Sequence, residues 1–110
     1  MPMERTARIA ALNDQLRATL KGGLVLMTAG VVALGVDAQA AILAAVAAYD
    51  RFTPESDPYG EHDFGVVAIA GERLFWKIDY LDRAEQAHSP DPSDPALTVR
   101  TLTIMLAAEY

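Results

Sequence analysis

The chain has 110 residues, 52% of them hydrophobic, and it carries a formal net charge of −6 with no cysteine. This size and composition predict one domain with enough apolar material for a core, and the lack of cysteine excludes disulfides and thiolate metal sites. The acidic balance argues against direct nucleic-acid binding, because a protein that binds the phosphate backbone needs a basic face.

The N-terminal segment predicts an amphipathic helix over Met3–Lys21. Its apolar residues recur at spacings of three and four, which places them on one helical face: Ile9, Leu12, Leu16 and Leu20. Most of the polar residues, Asp14 and Arg17 among them, are expected away from that face. Gly22 is a natural stop, since glycine tolerates the left-handed conformation that often ends a helix.

A buried strand over Leu24–Thr28 and a second helix over Asp37–Arg51, with Asp37 as its N-cap, are predicted next. The apolar run Leu24–Leu34 is too short to cross a bilayer, which takes about 20 residues. Residues 1–21 are charged and lack the apolar segment of a secretory signal. We therefore expect a cytoplasmic protein that does not enter membranes, which also fits the absence of cysteine.

A β-hairpin follows a polar loop at 53–61. Its predicted strands are Phe64–Ala70 and Leu74–Leu81, with Gly71 and Glu72 as a two-residue turn. Since side chains alternate faces along a strand, one face holds only uncharged residues and is predicted to be core: Val67, Ile69, Leu74, Trp76, Ile78 and Tyr80. The other face is mixed: His62, Phe64, Val66, Ala68, Phe75, Lys77 and Asp79.

A second polar loop, Asp82–Pro92, precedes a predicted final helix, in which Leu97–Tyr110 supplies the residues for burial. Asp94 is expected to cap this helix and Pro95 to occupy its first position. The predicted order is helix, strand, helix, strand, strand, helix. We therefore predict a single α+β domain over residues 1–110, with a small sheet covered by helices on at least one face.

Several segments together resemble domain-of-unknown-function family 3768. They are RIAALND (8–14), DPYGEHDFG (57–65), GERLFWKIDYLD (71–82) and SPDPSDPALTVRTLTIMLAAEY (89–110). The resemblance covers nearly the whole chain. It implies a short bacterial protein of the kind often found on plasmids and other mobile elements. It implies no activity and no catalytic residues.

The candidate chemistry centres on His62, Asp79 and Lys77. In the predicted register His62 shares a face with Lys77 and Asp79, so His62 and Asp79 could orient an imidazole or bind a metal weakly. Without a third ligand this pair is not a metal site, and a hydrogen bond that closes the loop is the structural alternative for His62. A nuclease built on Asp63 and Lys77 lacks an acid at position 75. We expect no metal and no cofactor.

The candidate binding residues lie in the acidic loop and on the mixed face of the hairpin: Glu55, Asp57, Tyr59, Glu61, Asp63 and Phe75. They suggest a non-enzymatic module that binds a protein partner, such as a mobile-element accessory or counter-defence protein. A metal-binding protein or hydrolase around His62 and Asp79 is the alternative. A homo-oligomer is left open.

Overall fold

The computed structural model describes residues 4–110. Its helices and strands follow the order α1 (Arg5–Thr19), β1 (Leu24–Met27), α2 (Ala29–Val32), α3 (Val36–Ala48), β2 (Phe64–Ile69), β3 (Glu72–Leu81) and β4 (Val99–Leu106). Two short 3₁₀ segments, Pro95–Leu97 and Ala107–Glu109, flank β4. The predicted α+β class is confirmed. Among the residues described, no helix combines the length and hydropathy that a bilayer crossing requires.

The four strands form one mixed sheet in the order β1-β4-β3-β2. β1 runs parallel to β4, while β3 is antiparallel to both β4 and β2. The central position of β3 and β4 leaves β1 and β2 as the two edge strands. Each edge strand therefore carries a row of backbone groups that no other strand within residues 4–110 pairs with.

The core lies between one face of this sheet and the helices α1 and α3. Trp76 and Leu74 of β3 are fully buried there, together with Leu102 of β4, Leu16 of α1 and Ile42 of α3. The uncharged hairpin face is therefore the core face, as predicted. Burial of large side chains such as the Trp76 indole is the main stabilising contribution that this layer makes.

The predicted C-terminal helix, with Asp94 as its cap and Pro95 at its first position, is wrong, because most of the segment that follows is the strand β4. Four of its eight residues, VRTLTIML, are β-branched, and such residues favour strands because their side chains pack well on a pleated surface. Asp94 does accept a hydrogen bond from the Ala96 N–H, but the turn that it caps ends at Leu97. Pairing with β1 and β3 on both sides then overrides the helix-start signal.

The hairpin turn is one residue earlier than predicted. Ala70 and Gly71 form the two-residue loop, with φ values of 56° and 78°, which is the pattern of a type I′ turn. Ala68 consequently pairs with Arg73, and Phe64 pairs with Lys77. Each residue of β2 has a partner two positions away from the predicted one, and a shift of two leaves every side chain on its predicted face.

The helices differ from the prediction in where they end and in which side chain of α1 is buried. The predicted start at Met3 lies outside the described residues. Gly35, and not Asp37, occupies the N-cap of α3, and the connection after β1 contains the short helix α2. Leu20, expected on the buried face of α1, is 42% exposed, whereas Arg17 is only 3% exposed.

Candidate functional site

The predicted pair of His62 and Asp79 does not form. His62 has a left-handed backbone, with φ of 58°, which interrupts the strand alternation just before β2. Its Nδ1 lies 2.9 Å from Asp14 Oδ1 on α1, and its ring stacks on Phe52 at 3.9 Å between centroids. Asp79 instead pairs with Lys77, with 3.1 Å between Oδ2 and Nζ. His62 and Asp79 therefore have separate partners.

Asp57 fixes the backbone of the polar loop at His62. Its side chain is 5% exposed, and both carboxylate oxygens accept the His62 N–H, at 3.2 and 3.3 Å. His62 therefore takes part in a hydrogen bond that closes this loop, which is the structural alternative to a functional role. The positive φ of His62 is held by that contact together with the Asp14 carboxylate and the Phe52 ring.

The side chain of Arg17 on α1 contacts the C-terminal end of α3. Its Nη1 donates to the backbone oxygens of Val46 at 2.7 Å and Tyr49 at 3.1 Å. The guanidinium also lies over the rings of Trp76, at 4.9 Å, and Phe52, at 5.3 Å. The bond to Val46 O adds to the one that this oxygen accepts from the Tyr49 N–H, and the ring contacts add cation–π attraction. Arg17 therefore positions α3 against α1 and the sheet.

A second buried polar network joins α1 to the sheet. Asn13 donates to the Tyr80 hydroxyl at 2.8 Å and accepts from Arg100 Nε at 2.6 Å. The Tyr80 hydroxyl in turn donates to Glu61 Oε1 at 3.0 Å. Burial raises the pKa of the Tyr80 hydroxyl and lowers that of the Arg100 guanidinium. The network gives the buried side chains of Asn13, Tyr80 and Arg100 hydrogen-bond partners, which buried polar groups require.

The six predicted binding residues differ in their exposure. Tyr59 is 78% exposed, Glu55 is exposed and Asp57 is buried. The remaining three are half-buried: Glu61, Asp63 and Phe75. Burial, aided by the negative charge of Glu61, raises the pKa of the Asp63 carboxyl. The binding role of this set stays a prediction, and its most accessible members are Tyr59 and Glu55.

A groove of about 790 Å³ lies between α3 and the edge strand β2. Ala45 and Ala48 form its helical wall, and Val66 and Ala68 contribute to its strand wall. Because alanine side chains are short, this part of the helix surface projects little toward the strand, which leaves open space between α3 and β2. The groove also contains the segment Tyr49–Arg51, which leads out of α3, and Arg73 of β3.

The strand wall of this groove has backbone groups that point outward. Asp63 O accepts the Ile78 N–H at 2.8 Å, so position 63 belongs to a hydrogen-bonded pair. Such pairs alternate along an antiparallel ladder, so positions 65, 67 and 69 also face β3. The N–H and C=O groups of Val66 and Ala68 therefore face away from the sheet. Within residues 4–110 they have no hydrogen-bond partner.

Sequence reasoning missed the groove and the two buried networks. Asn13 and Arg17 follow Ile9 at steps of four, so their helical spacing was a usable signal that they share its buried face. The groove gave no comparable signal, because its walls come from segments separated along the chain. Across residues 4–110, no cluster of three or more histidine and carboxylate side chains could hold a metal ion.

The fold and the groove define a small α+β domain with one sheet edge open beside a helix. The family model described as "Protein of unknown function (DUF3768)" matches residues 27–109. The chain belongs to this family, which confirms the resemblance found in its sequence. Comparisons with curated proteins and with solved structures found no match.

Proposed function

We propose that this protein is a non-enzymatic binding module that takes an extended segment of a protein partner along the edge of β2. The observation that carries the proposal is the pair of unpartnered backbone positions, Val66 and Ala68, that face a groove. Adding a strand to an exposed sheet edge is a recurring mode of peptide recognition, in which main-chain hydrogen bonds supply affinity.

The dimensions of the groove suit one extended segment. β2 has six residues, which corresponds to about 20 Å of strand at roughly 3.3 Å per residue. A segment added beside β2 would pair with Val66 and Ala68 through its backbone. Its side chains on one face would then pack against Ala45 and Ala48 of α3.

The polar loop at 53–63 belongs to the connection between the two walls of this groove, which runs from the end of α3 at Ala48 to the start of β2 at Phe64. Two of its exposed side chains, Tyr59 and Glu55, supply a second contact surface in the proposal. The setting that we propose is the bacterial cytoplasm, in an accessory or counter-defence role on a mobile element. The support for that setting is the acidic, cysteine-free composition and the family resemblance.

The proposal is tested by selection from a phage-displayed library of random octapeptides on the immobilised protein. The decisive variant is Ala68→Pro, which removes an outward N–H that the ladder with β3 does not use; proline is tolerated at such edge positions. Ala68→Ser keeps the N–H and is the matched control. Peptides selected on the wild type should bind the serine variant equally and the proline variant at least about tenfold more weakly, as expected when one or two main-chain hydrogen bonds are lost.

Circular dichroism and the melting temperature of Ala68→Pro show whether its fold is intact. Val67→Pro provides the contrasting case, since its N–H faces β3 and its loss should destabilise the sheet. Failure to enrich any peptide, or enriched peptides that bind a folded Ala68→Pro variant as tightly as the wild type, would overturn the proposal.

A further inference from the structure

We infer that the segment bound beside β2 is acidic and that Arg51 and Arg73 recognise its carboxylates. This inference rests on the proposed function, and it names the chemistry of the partner. Both arginines contribute to the groove between α3 and β2, and both are exposed. Within the described part of the chain, neither forms an ion pair.

The placement of these arginines contrasts with the charge of the rest of the chain. Residues 22–110 contain thirteen acidic and only five basic side chains. Of those five, Arg100 is buried and Lys77 is paired with Asp79. Two of the three others contribute to this one groove, and among the lining residues that lie within 4–110 Asp50 is the single acidic one. The groove therefore carries a local positive excess on an acidic protein.

Arginine suits this recognition better than a general positive field would. Its planar guanidinium presents donors in a fixed fork that matches a carboxylate in a bidentate pair. Arg73 lies directly across the ladder from Ala68, one of the two outward-facing backbone positions, and it lines the groove. Its guanidinium lies over the face of the Phe75 ring, 5.4 Å from the ring centroid. An extended segment could therefore bind through its backbone at Ala68 and through a carboxylate at Arg73.

A second copy of this chain does not provide that chemistry through its own edge strand. β2 has the sequence FGVVAI and contains no acidic residue. Pairing of β2 with β2 would leave both sets of arginines without carboxylates from the added strand. A different protein with an acidic extended segment is therefore the occupant that the charges favour.

The test uses three fluorescein-labelled octapeptides in which valine alternates with glutamate, glutamine or lysine. Fluorescence anisotropy at low ionic strength should show the glutamate peptide binding about tenfold more tightly than the glutamine peptide, the size expected of one charge-assisted pair. The lysine peptide should bind more weakly than either. Added salt should reduce the advantage of the glutamate peptide, because the groove is open to solvent.

The variants separate the two arginines from general electrostatics. Arg51→Gln and Arg73→Gln should each reduce the preference for glutamate, and the double variant should abolish it. Arg83→Gln, in the exposed loop after β3, is the matched control and should leave the preference unchanged. Gel filtration of the free protein checks for self-association, and a β2-mediated dimer would overturn the choice of an acidic partner.

The outcomes distinguish this inference from the function on which it rests. Equal binding of the glutamate and glutamine peptides, abolished by Ala68→Pro, overturns the inference and leaves the proposed function standing. Glutamate-specific binding that is lost in the double arginine variant but survives Ala68→Pro supports the arginines and overturns strand addition. Absence of binding by all three peptides overturns the inference, and the library selection then decides the proposed function by itself.

Discussion

Gly65 of β2 lies directly against the indole of Trp76 on β3. The two residues are partners across the ladder, and a Cβ added to Gly65 would lie 2.6 Å from Cε2 of the indole. The glycine therefore leaves the space that the fully buried Trp76 ring occupies. This contact places the ring where Tyr49 and Phe52 also pack on it, at 5.4 and 6.2 Å between centroids.

Gly65→Ala should lower the free energy of unfolding by about 1–3 kcal/mol, since overpacking forces a buried ring or its backbone to move. Urea unfolding measures the change. The cost should be smaller in a Trp76→Phe background, because phenylalanine lacks the indole atoms that crowd this position, and neighbouring sites of this kind are not additive. An equal cost in both backgrounds would contradict the packing explanation.

Arg17→Met should lower the free energy of unfolding by about 3 kcal/mol. The variant removes the Arg17 hydrogen bonds to Val46 O and Tyr49 O and, within residues 4–110, leaves Val46 O with only the Tyr49 N–H. It also removes the charge from the faces of Trp76 and Phe52, and these losses have costs of the expected size. Chemical unfolding provides the measurement. Arg5→Met is the control, because Arg5 is mostly exposed and exposed ion pairs contribute little. Similar losses in the two variants would argue against a special role for Arg17.

Asp63→Asn should raise the melting temperature at neutral pH. The folded pKa of Asp63 is raised by burial and by Glu61, so folding favours its protonated form. The associated stability is full below the unfolded pKa and is lost as the pH rises through the folded pKa. Asparagine carries no charge, so the variant should keep this stability at neutral pH. The increase in melting temperature over the wild type should vanish in acid, where the Asp63 carboxyl is protonated. Glu72→Gln, at the exposed start of β3, should show no such trend.

Glu109→Gln should have the opposite pH dependence. Its carboxylate accepts hydrogen bonds from Thr28 Oγ1 at 2.6 Å, Leu106 N at 2.9 Å and Gly30 N at 3.0 Å. The Thr28 bond is the largest cause of its lowered pKa, followed by the Leu106 N–H. The resulting stability is present above the unfolded pKa and is lost as the pH falls through the folded pKa.

The melting temperature of Glu109→Gln should therefore be below that of the wild type at neutral pH and equal to it in strong acid. Glu85→Gln, in the exposed loop after β3, serves as the control and should follow the wild type throughout. A deficit for Glu109→Gln that persists unchanged in acid would show that the carboxylate charge is not its cause.

The amino-acid sequence determined the features that depend on local periodicity. The alternation of side chains that includes Val67, Leu74 and Trp76 identified the core face of the hairpin. The assignment of that face stayed correct although the turn was misplaced, because a register shift of two residues leaves each side chain on the same face of the sheet. The helical spacing of Ile9 and Leu16 likewise located α1 on the core. These patterns are set by the geometry of each strand or helix, so they can be read without knowing its neighbours.

Only the tertiary structure decided what depends on neighbours distant in sequence. Val99–Leu106 is a strand because β1 and β3 flank it, although the signals before it favour a helix. His62 turns to Asp14 because a positive φ breaks the alternation that the prediction assumed. The groove exists because α3 ends beside the free edge of β2. In each case the deciding contact joins segments that are far apart in the chain, and no local pattern of residues encodes such a contact.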